Sequence, residues 1–199
     1  IRKFSTYILN SNMPEAVPCI FYLFSGGIIP LPLTVMQVLA IDLGTDMVPA
    51  IALGTELPEH GIMDRPPRPR NESLLNRPLM LRAFLWLGVL ESAFAMLSFY
   101  FLYHQFGWPL VPMQPTGTVY MMATTMSLAA IVFCQIGMVF NCRTERESVF
   151  KVGIFKNRMV LIGIFVELSL LAILVYAPFT HKLFNTAPLR LNDWAFLLI

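Results

Sequence analysis

Apolar runs long enough to cross a lipid bilayer recur along this chain and constrain its fold more than any other feature. They lie at about residues 7–29, 32–54, 79–103, 117–141 and 159–178, with the start of a sixth at 191–199. A helix needs ~20 predominantly apolar residues to span the hydrocarbon core. In lipid, only helices and closed barrels satisfy every backbone polar group. Hydrophobic residues make up 56% of the chain and charged residues 13%, with a mean hydropathy of +0.65, which is too apolar for a soluble domain. The expected fold is all-α: a polytopic transmembrane helix bundle of five full spans plus the start of a sixth, one domain over residues 1–199. The chain opens at Ile1 without an initiator Met or signal peptide and stops at Ile199 inside an apolar run. It is therefore expected to be a fragment of a longer protein.

The basic residues set the expected orientation. Arg2 and Lys3 precede the first span. Arg65, Arg68, Arg70, Arg77 and Arg82 follow the second, and Arg143, Arg146, Lys151, Lys156 and Arg158 follow the fourth. Of the 14 Lys and Arg, only Lys182 and Arg190 fall on the other side. By the positive-inside rule, the N-terminus and loops 55–78 and 142–158 are cytoplasmic. These loops are short and mix acids with the arginines, so nucleic acid is not an expected partner; the bilayer is. Cys19, Cys134 and Cys142 are odd in number and far apart, and read as small apolar residues rather than disulfides. His60, His104 and His181 lie in or near loops and form no metal-ligand spacing with the cysteines, which argues against a soft-metal site.

Against this apolar background stand carboxylates with no basic partner in their own segments. Glu15 lies in Asn10-Ser-Asn-Met-Pro-Glu-Ala-Val-Pro18; Asp42 and Asp46 lie in Ile41-Asp-Leu-Gly-Thr-Asp-Met-Val-Pro49. An ionisable group inside a span is costly and marks a functional site by default. Asn12 and Glu15 are three apart, and Asp42, Thr45 and Asp46 sit at i, i+3 and i+4, so each set is expected to share a helix face. Pro14, Pro18 and Pro49 each remove a backbone donor and free a carbonyl one turn earlier. Gly26-Gly27 and Pro30-Leu-Pro32 imply a tight hairpin that makes the first two spans neighbours. The converging set of carboxylate, amide, hydroxyl and carbonyl oxygens suits a hard cation or a proton. Glu91 in the third span reads equally as a structural or lipid-edge residue and as a functional one. Glu167 in the fifth span and Gln135 in the fourth are further candidates for ion handling.

Ser11-Asn-Met-Pro-Glu-Ala-Val-Pro18, Pro30-Leu-Pro-Leu33 and Ile41-Asp-Leu-Gly-Thr-Asp-Met-Val-Pro-Ala-Ile-Ala-Leu53 resemble the fifth and sixth transmembrane helices of the type II P-type cation ATPases. The likeness is closest to the sodium/potassium and proton/potassium pumps. Ile62-Met-Asp-Arg-Pro-Pro-Arg68 resembles the loop after the sixth helix of the calcium pumps, and Asn141-Cys-Arg-Thr-Glu-Arg-Glu-Ser-Val-Phe150 is similar to the loop after the eighth helix of the sodium/potassium pump. The resemblance implies helices five to ten of an ATP-driven pump. It implies cation coordination by Asn12, Glu15, Asp42, Thr45 and Asp46, with Asn12, Glu15, Asp42 and Asp46 as the metal ligands. It further implies that Ser11 tunes potassium and sodium handling, that Tyr7 lies beside an extra sodium site, and that Gln135 and Glu167 are two further members of that site. Met138 stands where the sodium/potassium pump carries an aspartate of that site. Calcium pumps have asparagine at the position of Asp42, so Asp42 points to the potassium-type branch.

The transported ion implied is Na+, K+, Ca2+ or H+. The Asp-Lys-Thr-Gly-Thr phosphorylation motif and a nucleotide-binding domain are absent from this sequence, so no catalytic residue is expected in it, and Mg2+ and ATP belong to the full-length protein. The implied partners are the N-terminal transmembrane, actuator, phosphorylation and nucleotide domains of that protein and a small single-span subunit; the implied location is the plasma membrane. Two other readings fit the intramembrane carboxylates. A secondary transporter or channel without ATPase activity would also use broken helices at the midplane. A structural or regulatory membrane subunit would tolerate their replacement by Gln or Asn.

Overall fold

A computed structural model of the chain describes residues 2–56, 77–144, 153 and 155–198. Outside the described residues lie Arg65, Arg68, Arg70, Arg146 and Lys151 from the orientation argument, His60, the motif at 62–68 and the stretch 145–150. The described residues are helical throughout the apolar runs, with no strand among them.

The first span is two helices, α1 (Arg2–Ser11) and α2 (Met13–Phe24), separated at Asn12. It begins earlier than the apolar pattern suggests. Pro14 sits in the first turn of α2, where its missing N–H costs least, and both Pro14 and Pro18 are buried. The carbonyl of Ile8 takes up two side-chain donors across the break, from Ser11 Oγ at 3.1 Å and Asn12 Nδ2 at 2.9 Å. The expected hairpin follows: Gly26 and Gly27 adopt φ of 62° and 86°, a region that suits glycine.

The second span also changes character midway. It comprises α3 (Val35–Ala40), a π-helical stretch at Ile41–Thr45, and α4 (Met47–Gly54). Thr34 and Gln37 cap its start reciprocally. In the wide turn, Asp46 N–H reaches back five residues to Ile41 O at 2.9 Å. Such bulges commonly mark functional sites. The third span runs from α5 (Arg77–Met80) through a second π-helical stretch at Leu81–Gly88 into α6 (Val89–Gln105). The fourth is α7 (Thr118–Cys142) and the fifth α8 (Arg158–Tyr176), followed by α9 (Pro178–Phe184) and α10 (Leu191–Leu197).

The fourth span is the axis of the bundle: 72% of its apolar window is buried, against 33% for the fifth span. Outward surfaces carry large apolar side chains such as Phe24, Leu85, Trp86 and Phe165, as lipid contact requires. At one end of the bundle, Gln37 Nε2 donates to Thr124 Oγ1 at 3.1 Å and to the Asn185 carbonyl at 3.3 Å. At the other, Arg143 grips Glu56: Nε to Oε2 at 2.9 Å and Nη2 to Oε1 at 3.1 Å. Asn157 adds a bond to Glu56 Oε2 at 2.8 Å while its own oxygen caps α8. The clamp joins the end of the second span, the end of the fourth and the start of the fifth, so the fifth span runs opposite to the second and the fourth.

Close approach of the fifth span depends on Gly163. A methyl built there would lie 3.2 Å from Pro49 Cα. Gly163→Val is expected to push α8 off α4 and cost about 1–3 kcal/mol, the usual overpacking penalty. Thermal unfolding in detergent would read this, and an unchanged midpoint would refute the contact.

A candidate cation site on buried carboxylates

The first and second spans meet at Tyr7 and Asp46. Tyr7 is fully buried and Asp46 is 2% exposed. The Tyr7 hydroxyl donates to Asp46 Oδ1 at 3.3 Å, and Asp46 Oδ2 has no partner among the described residues. Thr45 is buried beside it, its Oγ1 within 3.2 Å of the Ile41 carbonyl and 3.5 Å of Gln135 Oε1. Ser11, also buried, and Gln135 adjoin the Asp46 carboxylate. Gln135 Nε2 is itself unpartnered.

Glu167 reaches the same place from α8. Gly163 faces Pro49, and a methyl built on Gly44 would lie 3.7 Å from Leu170 Cδ1. Residue 167 lies between them on one helix face, which sets it level with Thr45 and Asp46. Its carboxyl is fully buried, both oxygens lack a hydrogen-bond partner, and the charge of Asp46 reaches it. Tyr7, Thr45, Asp46, Gln135 and Glu167 therefore come together although they lie on four spans. No ion pair forms to any of these carboxyls among the described residues.

The other sequence candidates are less buried, although Glu15 and Asp42 lie within electrostatic reach of Asp46. Asn12 is exposed, and its amide is spent on the Ile8 carbonyl. Glu15 is half-buried with Oε1 unpartnered, and Asp42 is half-buried. Asp42, Thr45 and Asp46 differ in burial. In a π-helical turn each residue advances by a smaller angle than in an α-helix, so i+3 swings further from i while i and i+4 stay close. Thr45 and Asp46 turn inward while Asp42 stays toward the surface. Asn12 stands exposed between α1 and α2, while its carbonyl still accepts from the Ala16 N–H at 3.2 Å. Met138 is buried at the wall, with the Asn141 amide 4.0 Å from its sulfur. Among the described residues no three His, Cys, Asp or Glu side chains converge to hold a metal by themselves. The donor set that does converge mixes carboxylate, hydroxyl and amide oxygens, which fits a hard cation.

One further residue, Asn10, escapes the sequence pattern, and it meets Glu91, whose role the sequence left open. Asn10 is fully buried and donates to Glu91 Oε2 at 2.7 Å. Glu91 is fully buried too, so it does not lie at the lipid edge. The available signal was the spacing of Tyr7, Asn10 and Ser11 on one helix face.

An all-α membrane bundle that encloses uncompensated carboxylates at breaks in its helices is an ion-handling membrane domain. Residues 30–199 match the family described as "Cation transporting ATPase, C-terminus", and the chain belongs to that family, as the C-terminal membrane domain of a P-type cation ATPase. It is 32% identical over 222 residues to the sodium/potassium-transporting ATPase subunit alpha-3 of Gallus gallus, covering 98% of this chain and 22% of that protein. The Homo sapiens alpha-3 subunit gives 32% over 222 residues, 98% and 21%. The sodium/potassium-transporting ATPase subunit alpha of Tetronarce californica gives 30% over 222 residues, 98% and 21%. The chain thus spans about a fifth of the length of these relatives.

Proposed function

We propose that this chain is the ion-binding membrane part of an ATP-driven pump that moves a hard cation, Na+, K+, Ca2+ or H+, by alternating access. The observation that carries the reading is Asp46: a carboxylate buried at a helix break, held by Tyr7, with one oxygen free and no basic partner among the described residues. The missing positive charge is the transported ion. Asp46 and Thr45 are the central ligands, with Tyr7, Ser11, Gln135 and Glu167 on the inner side. Glu15, Asp42 and Asn12 lie toward the outside of this chain, where other segments of the full-length protein would complete the set.

In this reading the pump sits in the plasma membrane with the N-terminus of this segment cytoplasmic. Phosphorylation in the other domains, using Mg2+ and ATP, tilts the first span here and switches the site between inward, high-affinity and outward, low-affinity forms. An ion moves that equilibrium only through its differential affinity for the two forms. A small single-span subunit would pack on the outer helices. The similarity to sodium/potassium-transporting subunits over nearly the whole chain supports Na+ and K+ as the first ions to try. The test is to purify the full-length protein, reconstitute it in vesicles and titrate ATP hydrolysis with each cation. Hydrolysis stimulated by at least one of them is expected. Ion flux driven by a gradient alone, with no cation-stimulated hydrolysis, would instead establish a secondary transporter or channel.

A further inference from the structure

The third span brings a further carboxyl into the bundle, Glu91, whose hydrogen-bond partner lies outside the Asp46 group. Gly88 permits this: a methyl built there would lie 2.5 Å from Met13 Cγ, so only glycine lets the third span approach the break in the first so closely. One turn further along, Glu91 meets Asn10 in an amide–carboxyl bond of 2.7 Å. Both side chains are fully buried, and that single bond leaves Asn10 Oδ1 and Glu91 Oε1 without partners. Two orphaned acceptor oxygens at one spot lack a donor or a cation, and a buried polar atom left unpaired is costly.

Among the described residues, no ion pair to Glu91 is formed. Tyr7 and Glu15 face Glu91 from the first span, Asp46 from the second and Glu167 from the fifth. From the fourth span come Cys134 and Cys142. On the third span itself, Arg82 is directed at the Asn141 carbonyl, 3.3 Å away. Asn10 lies one turn from Tyr7 on the same face of α1, so one helix holds both carboxyls: Asp46 through Tyr7 and Glu91 through Asn10. A movement of that helix acts on both.

We propose that Asn10 and Glu91 form a further cation-accepting site, which takes up one positive charge, a proton or a Na+ ion, during the transport cycle. The proposal rests on the pump reading and adds a site on the third span to it. The experiment uses the full-length pump in vesicles, comparing the unmutated protein with Glu91→Gln and Asn10→Ala. Glu91→Gln keeps the shape and the amide contact but removes the charge. If the occupant is a proton, Glu91→Gln flattens the acidic limb of the pH–turnover profile and leaves half-saturating Na+ unchanged. If it is Na+, half-saturating Na+ rises about tenfold and the acidic limb stays. Asn10→Ala shifts the same quantity in the same direction by a smaller factor, and it decides the matter if Glu91→Gln does not fold. A pH profile and Na+ dependence that stay within twofold of the unmutated pump would overturn the site. Absence of cation-stimulated hydrolysis in the unmutated pump would count against the pump reading itself, before any variant is compared.

Discussion

Asp46→Asn in the full-length pump is expected to raise the cation concentration for half-maximal turnover by at least about tenfold, or to abolish cation stimulation altogether. The substitution is nearly isosteric, and Asn retains an oxygen for the Tyr7 hydroxyl, which donates at 3.3 Å. What it removes is the charge. At 4 Å and an effective dielectric of 20, one charge pair is worth about 4 kcal/mol, and each 1.4 kcal/mol is tenfold in affinity. An amide oxygen recovers part of this, so tenfold is a lower bound. Asp46 is 2% exposed, so water cannot replace the lost ligand easily. Asp42→Asn, at a half-buried position, should have the smaller effect. The measurement is turnover against cation concentration for both variants; an unperturbed curve for Asp46→Asn would remove Asp46 from the site.

The second large effect concerns stability. Arg143→Met is expected to cost about 3–5 kcal/mol, because it leaves the Glu56 carboxylate buried without its counter-ion. The side chains are 0% and 5% exposed, with the closest contact at 2.9 Å. Arg143 also donates to the Gly153 carbonyl at 3.3 Å, so several groups lose a partner at once. Glu56→Gln combined with Arg143→Met should lose less than Arg143→Met alone, since no unpaired charge remains. Thermal unfolding of the four proteins of this cycle in detergent reads both statements. If the double variant is no better than Arg143→Met, the charge pair is not what matters.

Burial raises the Glu56 carboxyl, but hydrogen bonds from Arg143 and Asn157 and the charge of Arg143 outweigh it and hold the group below its ordinary value. A folded-state value below the unfolded one means that the stabilisation is fully present above the unfolded carboxylate range. It is lost as pH falls through the folded value. Acid should therefore destabilise the unmutated protein more than Glu56→Gln, and the two melting curves should converge at low pH.

Apolar length and composition were enough to read the helical class, because a bilayer leaves so few ways to satisfy a backbone; among the described residues four helices are long and apolar enough to cross one. The prolines of the first span likewise announced a break, and Asp46 declared itself by the cost of burying a carboxylate. What the sequence could not disclose was which way each helix faces. Spans that are apolar on every side carry no stripe that marks an interior, and lipid does not sort one apolar face from another. Asp46 is buried and Asp42 only half-buried, a difference that their spacing in the sequence does not show. Glu91 and Glu167 entered the bundle because Gly88 and Gly163 let their helices come close. Their partners lie far along the chain: Asn10 and Glu91 are 81 residues apart. The sequence by itself determined that this chain lies in a membrane with carboxylates inside it. Only the tertiary structure decided which of them share a site, because close contact between small residues sets the rotation of each helix about its own axis.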